Sequence, residues 1–415
     1  MEKEERDPNL KEIIFKRLKE KAVELKITSS GISDAHFRRR VEAIFRTVLK
    51  ESRISLNSAE QEAMFSDIMS QLVGFGPIDS LLINPEVSEI MVNGPKHIFI
   101  ERNGVLEFTD IQFESEEHLG YFIDKMLSPL GRRVTEFEPY VDARLADGAR
   151  VNIVRSPISS VGTILTIRKF PHRTLTIGDL IRFGSLDESA AEFLKACVVA
   201  RLDILIGGGA SSGKTTLLNA LSAFIPKTER VVVIEDTREL NLPREHTVYL
   251  EARPPNIEGK GEITIRNLVK NSLHMRPDRI IIGEVRSDEV LDMIQAMNTG
   301  HDGSMTTLHA NSSLETLERL EVLALMGSLN ISSEVARRQI ISAIDLIVNT
   351  VRLPSGNRKI IQISEVLKGK DYALEDIFVL DEESGVMRPT GKMPKFYSKL
   401  KQQANYIFRE FSQEG

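Results

Sequence analysis

Apolar positions in the first 75 residues recur mostly at three- and four-residue spacings: Leu18, Val23 and Leu25, then Phe37, Val41, Ile44, Phe45 and Val48, then Met64, Ile68 and Leu72. That period predicts amphipathic helices. Breaks near Thr28 to Ser33 and Ser52 to Asn57 divide residues 1–75 into a three-helix bundle. Gly74-Phe75-Gly76-Pro77 then punctuates the chain, and beyond it the period moves towards two. Ile90-Met91-Val92, Ile98-Phe99-Ile100-Glu101, Val141 to Leu145, Arg150 to Val154 and Ile164 to Arg168 read as strands, with turns at Asn103-Gly104 and Asp147-Gly148. With a helix over Glu116 to Leu127, they predict a small α+β domain over residues 76–170.

Residues 171–186 read as a linker, and after it wholly apolar runs alternate with helical ones: Ile204 to Ile206, Val231 to Ile234, Ile280 to Ile282 and Ser304 to Leu308. Strands without polar alternation are buried on both faces, so residues 187–390 predict an α/β domain with a mostly parallel sheet. Asp345 to Leu353 and Lys359 to Val366 close as a hairpin about Pro354-Ser355-Gly356, and residues 391–415 hold a last helix, Lys395 to Phe411.

A chain of 415 residues is long enough for two or three cores. Its 54 basic and 60 acidic residues leave a net charge of -6, which argues against nucleic acid as the main partner. The lone cysteine, Cys197, excludes an intrachain disulfide framework and reads as a buried apolar residue on a helix, Ala190 to Ala200. No apolar run approaches the roughly 20 residues of a membrane span, so neither a secretion signal nor a transmembrane helix is expected and any membrane role is peripheral. The basic run His36-Phe37-Arg38-Arg39-Arg40 reads as a solvated helix face, with lipid contact as the alternative.

The chemistry concentrates after the first apolar strand. Gly208-Gly209-Ala210-Ser211-Ser212-Gly213-Lys214-Thr215, followed by Thr216, fits the phosphate-binding loop pattern ahead of a helix, Thr215 to Phe224. Small residues let backbone N–H groups curl around phosphate oxygens, and the helix's positive end faces the same charge. Lys214 reaches the β- and γ-phosphates, and the Thr215 hydroxyl serves Mg²⁺. Arg279-Ile280-Ile281-Ile282-Gly283-Glu284 delivers a second acid at a strand tip, as a Walker B element does, with Gly283 leaving room for a ligand. Val231 to Glu239 repeats the device and makes Glu235 the candidate base, with Asp236 and Glu239 as caps of the next segment or parts of the site.

Thr299 to Asn311 packs His301 and His309 among hydroxyls and amides, which suits γ-phosphate sensing or links between subunits better than zinc, for which no further ligand accompanies them. Arg144, Arg150 and Arg168 read as solvated charges or as cationic groups that reach a transferring phosphoryl across a domain or subunit boundary.

The order of these motifs resembles the secretion ATPase superfamily of type II and type IV secretion and type IV pili, and more closely the CpaF/TadA-type ATPases of the tight-adherence (Flp) pilus. Gly74 to Pro77, Glu89 to Gly94, Val141 to Asn152 and Thr166 to Phe170 carry the closer likeness, over about residues 30 to 385. The resemblance implies a RecA-like ATPase domain in a homohexameric ring, using ATP and Mg²⁺, cytoplasmic and peripheral to the inner membrane face. Its partners would be integral membrane platform proteins and, indirectly, pilin, with no nucleic acid. Lys214 and Thr215 match the Walker A pair, Glu235 the aspartate-box glutamate, Glu284 the Walker B acid, and His301 and His309 the histidine box. Arg150 and Arg168 match arginines that reach nucleotide phosphates, sometimes from a neighbour. Family loops commonly read Gly-Gly-Thr-Gly-Ser-Gly-Lys, so Ala210 and Ser211 depart from the pattern, and Ser211 is strained if it adopts positive φ. A nucleic-acid translocase on the same core and a non-hydrolysing nucleotide-gated scaffold are the competing readings.

Overall fold

The computed structural model describes residues 35–51, 57, 60–62, 64–65, 76–102, 104–169, 174–242, 244–255, 260–327, 331–381 and 383–407, with side chains from 41 onwards. The chain forms two compact units that divide after Pro171. Helix α1 (Ala35–Glu51) buries Val41, Ile44, Phe45 and Val48, the stripe that its spacing predicts. The other two expected helices of residues 1–75 lie largely outside the described residues, as do Gly74 and Phe75.

In the first unit, α2 (Asp79–Ile83) is followed by β1 (Val87–Asn93), β2 (Ile98–Arg102) and β3 (Val105–Phe108). Then come α3 (Glu116–Leu127), β4 (Tyr140–Arg144), β5 (Arg150–Val154) and β6 (Ile164–Arg168). The strands pair antiparallel in the order β3-β2-β1-β6-β5-β4. Period-two alternation assigns the two faces: Ile90, Val92, Ile98, Ile100, Val151, Ile153, Leu165 and Ile167 are buried against Leu119, Phe122, Ile123 and Met126 of α3. Ser115 caps α3 by accepting the His118 N–H at 3.2 Å. On the other face the register sets Arg144, Arg150, Arg168 and Glu89 side by side across four strands.

The second unit opens with α4 (Ile177–Arg182) and α5 (Glu188–Val199). The sheet is built by β7 (Ile204–Gly208), β8 (Val231–Glu235), β9 (Thr247–Glu251), β10 (Arg279–Ile282), β11 (Met305–His309), β12 (Leu346–Arg352), β13 (Arg358–Val366), β14 (Leu374–Asp381) and β15 (Val386–Pro389). Between them run α6 (Lys214–Ser222), α7 (Ile265–Ser272), α8 (Glu289–Asn298), α9 (Ser313–Met326) and α10 (Ser333–Ala343), and α11 (Tyr397–Ala404) follows. The order is β15-β14-β13-β12-β7-β11-β10-β8-β9, with the six strands from β12 to β9 parallel and the remaining three antiparallel at one edge. Ile204, Ile206, Val231, Val233, Leu346 and Val348 face the layer containing α5 and α6. Leu205, Val232, Ile234, Ile280, Ile282 and Ile347 face α8, α9 and α10. Two covered faces explain why these strands show no polar alternation.

Two segments differ from expectation. The stretch read as a linker contains α4, because Thr176 and Asp179 form a capping box and Leu180 enters the core. The last helix is shorter than expected, ending where Asn405 turns left-handed, and its Leu400 joins the core beside α5, with Phe396 and Tyr406 flanking Phe193. Asp179→Ala removes the reciprocal half of the cap and a buried partner of Arg182. It should cost about 1–2 kcal/mol, measured as a lower urea midpoint by circular dichroism.

Candidate functional site

Parallel pairing brings the carboxyl ends of β7, β11, β10 and β8 side by side. Register sets Gly208 opposite His309 on one side and Thr350 on the other, and Ile282 opposite both Thr306 and Ile234. The loop from Gly208 to Gly213 leaves β7 and enters α6, whose first residue is Lys214. Ala210 and Ser211 are exposed at its tip, whereas Gly208, Ser212 and Lys214 are buried and Thr215 and Thr216 half-buried. Gly208 is obligatory: an added Cβ would collide with Thr350 Oγ1 and Ser212 Oγ.

Lys214 Nζ donates to the carbonyls of Gly208 at 3.0 Å and Gly209 at 2.8 Å, and lies 3.1 Å from His309 Nδ1. An ammonium has no acceptor, so His309 Nδ1 accepts and its proton sits on Nε2, which lies 2.8 Å from Glu284 Oε1. Arg286 holds the other oxygen of Glu284 at 2.5 Å and reaches Asp236 at 3.1 Å. A continuous chain, Lys214–His309–Glu284–Arg286–Asp236, thus crosses four strand tips. Burial lowers both Lys214 and His309 from their usual values; Glu284 opposes this in each case and Arg286 reinforces it.

Glu235 ends β8, is buried, and accepts the N–H groups of Glu239 at 3.0 Å and Leu240 at 3.1 Å. Burial raises its carboxyl to about 7 against those bonds, which pull it down. The space beside Gly283 that was expected to admit a ligand is taken by this side chain: a Cβ there would stand 2.8 Å from Glu235 Cγ. Asp236 and Glu239 cap no helix, the next element being β9.

The remaining candidates lie elsewhere. His301 precedes β11 at its amino end, its Nδ1 3.3 Å from Ala296 O, so the five-residue strand, about 16 Å at its usual rise, separates it from His309. Thr307 accounts for part of the polar density in this stretch by donating to Gly283 O at 2.7 Å. Arg279 is fully buried at the amino end of β10, bound to Glu229 at 2.5 Å. In the first unit Arg150 pairs with Asp142 at 2.5 Å and Arg168 with Glu89 at 3.4 Å.

Sequence reading missed three contributors. Arg286 carried a usable signal, lying two residues beyond Glu284 and so on the same side of an extended segment. Thr350 and Arg358 carried none, since they lie more than a hundred residues from the loop they touch. Thr350 Oγ1 stands 2.8 Å from Ser212 Oγ and Arg358 Nε donates to Ser211 O at 2.9 Å. Among the described residues no group of three or more His, Cys, Asp or Glu is arranged to hold a metal ion. A divalent cation at this site would therefore rest on few protein oxygens and chiefly on its ligand's phosphates.

The family model for type II/IV secretion system proteins matches residues 71–389. A Mycobacterium tuberculosis protein with a provisional conjugal-transfer name is 32% identical over 337 residues, 80% of this chain and 95% of the relative. The type IV secretion system protein VirB11 of Brucella suis is 31% identical over 302 residues, 66% of this chain and 83% of its own. The X-ray structure of the Yersinia pseudotuberculosis ATPase DotB covers 73% of this chain and 79% of its own, with a TM-score of 0.52 at 18% identity, a likeness of fold. The α/β class read from the apolar runs holds, with a RecA-like core in the second unit.

Glu235 yields a pH prediction. Its carboxyl titrates at about 7 in the fold against an ordinary 4.5, so the native chain retains a proton that the unfolded chain releases. The stability this confers is full below about 4.5 and is lost as pH rises through about 7. Glu235→Gln does not titrate, so its stability relative to wild type should climb across that window by roughly 3 kcal/mol and then level. Urea unfolding at stepped pH measures the difference, and a flat one would count against a buried proton.

Proposed function

The chain belongs to the type II/IV secretion system protein family and is an ATPase, and from that premise we propose a homohexameric motor that assembles a tight-adherence (Flp) type IV pilus or related secretion machine. Retraction would be a further stroke of the same motor. In this reading it is cytoplasmic, peripheral to the inner membrane face. It acts on integral membrane platform proteins and, through them, on pilin, with no nucleic acid. The observation that carries the hydrolytic part is the chain of side chains that runs from the loop lysine through His309 of β11 to the acid past the tip of β10. Among the described residues no helix is long and apolar enough to cross a membrane.

ATP would lie with its phosphates along residues 208–216, receiving backbone N–H groups and the start of α6. Lys214 would exchange the carbonyls of Gly208 and Gly209 for β- and γ-phosphate oxygens. Thr215 and Glu284 are the residues that would hold Mg²⁺, directly or through water, and the cation would neutralise phosphate charge. Hydrolysis forms a bond from water oxygen to the γ-phosphorus and breaks the bond to the β,γ-bridging oxygen, leaving ADP and phosphate. Glu235 takes the water's proton, and a carboxyl near 7 is matched to that task at neutral pH. His309 keeps Glu284 aligned with Lys214. Arg150 and Arg168, in line on one face of their sheet, would add positive charge at the phosphates, from the same chain or from a neighbouring copy.

Glu235→Gln should cut kcat for ATP by at least about a hundredfold while a fluorescent ATP analogue still binds, whereas Lys214→Ala should lose binding. If Glu284→Gln alone abolishes turnover and Glu235→Gln does not, the base is assigned to the wrong acid. In cells, a slow-hydrolysis variant should slow the extension of labelled pili in proportion to its kcat, and turnover of purified protein should not rise with single-stranded DNA. Unchanged extension would overturn the pilus reading, and DNA-stimulated turnover would favour a translocase.

A further inference from the structure

Ser211 is the one described residue of the phosphate loop, other than glycine, with positive φ, at 56°. An L side chain there is disfavoured by roughly tenfold or more, so something outside the loop must hold it. The contacts come from the hairpin of β12 and β13. Arg358 Nε donates to Ser211 O at 2.9 Å, and its stem lies along Gly213, where an added Cβ would stand 3.3 Å from Arg358 Cδ. From the adjoining strand, Thr350 Oγ1 donates to Gly207 O at 3.1 Å and stands 2.8 Å from Ser212 Oγ. The hairpin therefore touches the chain at Gly207, Ser211, Ser212 and Gly213, on both sides of the exposed tip.

We propose that Arg358 is a positioning residue that holds the phosphate loop in its binding shape by fixing the peptide between Ser211 and Ser212. A trans peptide directs its C=O and N–H to opposite sides. Drawing the Ser211 carbonyl towards Arg358 sends the Ser212 N–H away from the hairpin, where a phosphate oxygen can take it. The guanidinium suits this because it stays charged and its bond to a carbonyl is charge-assisted. Thr350 fixes the base of the loop and Arg358 its tip, so the strained serine is tolerated at a position where a glycine would need no anchor. The inference rests on the nucleotide-binding reading of this site and adds a residue from outside the loop.

The test uses the full chain in four forms, wild type, Arg358→Ala, Ser211→Gly and the double variant, with KM and kcat for ATP and the Kd of a fluorescent ATP analogue. Arg358→Ala should raise KM and Kd about tenfold with a smaller change in kcat, and Arg358→Lys should recover part of the loss. In the Ser211→Gly background the same truncation should raise Kd threefold or less. An equal rise in both backgrounds, or a loss confined to kcat, would overturn the proposal. Arg358→Gln, which keeps length and polarity, replaces the alanine variant if that one fails to fold. If wild type binds the analogue without turning over ATP, the hydrolytic reading fails while the Kd comparison still decides the role of Arg358.

Discussion

Six parallel strands covered by helices on both faces have no room for charge along their length, and the rest of the second unit follows from that constraint. Charged groups are driven to the strand ends, while hydroxyls and amides such as Thr306, Thr307 and Asn349 stay buried along the strands. The two ends differ, because a helix that follows a strand presents its N-terminus, and so its free N–H groups, only at the carboxyl side. Lys214, His309, Glu284, Glu235 and Arg286 all lie at that side. At the amino side the buried polar groups are structural: Arg279 is bound by Glu229 and the carbonyls of Val198 and Gly303, and Asp203, its carboxyl raised by burial, accepts the N–H groups of Gly303 and Ser304.

At the carboxyl side the polar groups fix one another. His309 Nδ1 accepts from Lys214, which leaves the ring proton on Nε2, 2.8 Å from a buried oxygen of Glu284 that accepts no aligned hydrogen bond, so one tautomer brings the loop and the acid into close contact. Arg286 then ties that acid to Asp236 on the next strand. Glu235 stands apart from this chain, packed on Gly283 and bound to its own following backbone. Its raised carboxyl is a consequence of burial that those two N–H bonds only partly offset. A position that is poor for a structural charge is thereby suited to one that must exchange a proton near neutrality.

What could be read in advance depended on the range of the interaction. The apolar runs at Val231 to Ile234 and Ile280 to Ile282 announced buried parallel strands, because burial on two faces suppresses alternation. The α4 capping box was overlooked because Asp179 stands where the usual glutamate would, and the short helix it opens has few periods to detect. His301 and His309 looked alike in the sequence, yet a strand runs between them, and its length carries only the second to the loop. Arg286 was within reach of a reading that followed Glu284 by two residues, whereas Arg358 was not.

By itself the sequence determined the elements and the chemistry they carry: a glycine-rich loop between an apolar strand and a helix, acids just past two apolar runs, and an α/β domain behind a smaller α+β one. These are local properties, set by period, by side-chain size and by the groups a helix terminus leaves free. Only the tertiary structure decided which polar groups meet. Pairing of β7 with β11 and β12 set His309 and Thr350 on either side of Gly208, and the returning β13 brought Arg358 onto Ser211. Strand order is a choice among packings of similar local structure, settled by the summed fit of two apolar layers, so no short stretch of sequence encodes it.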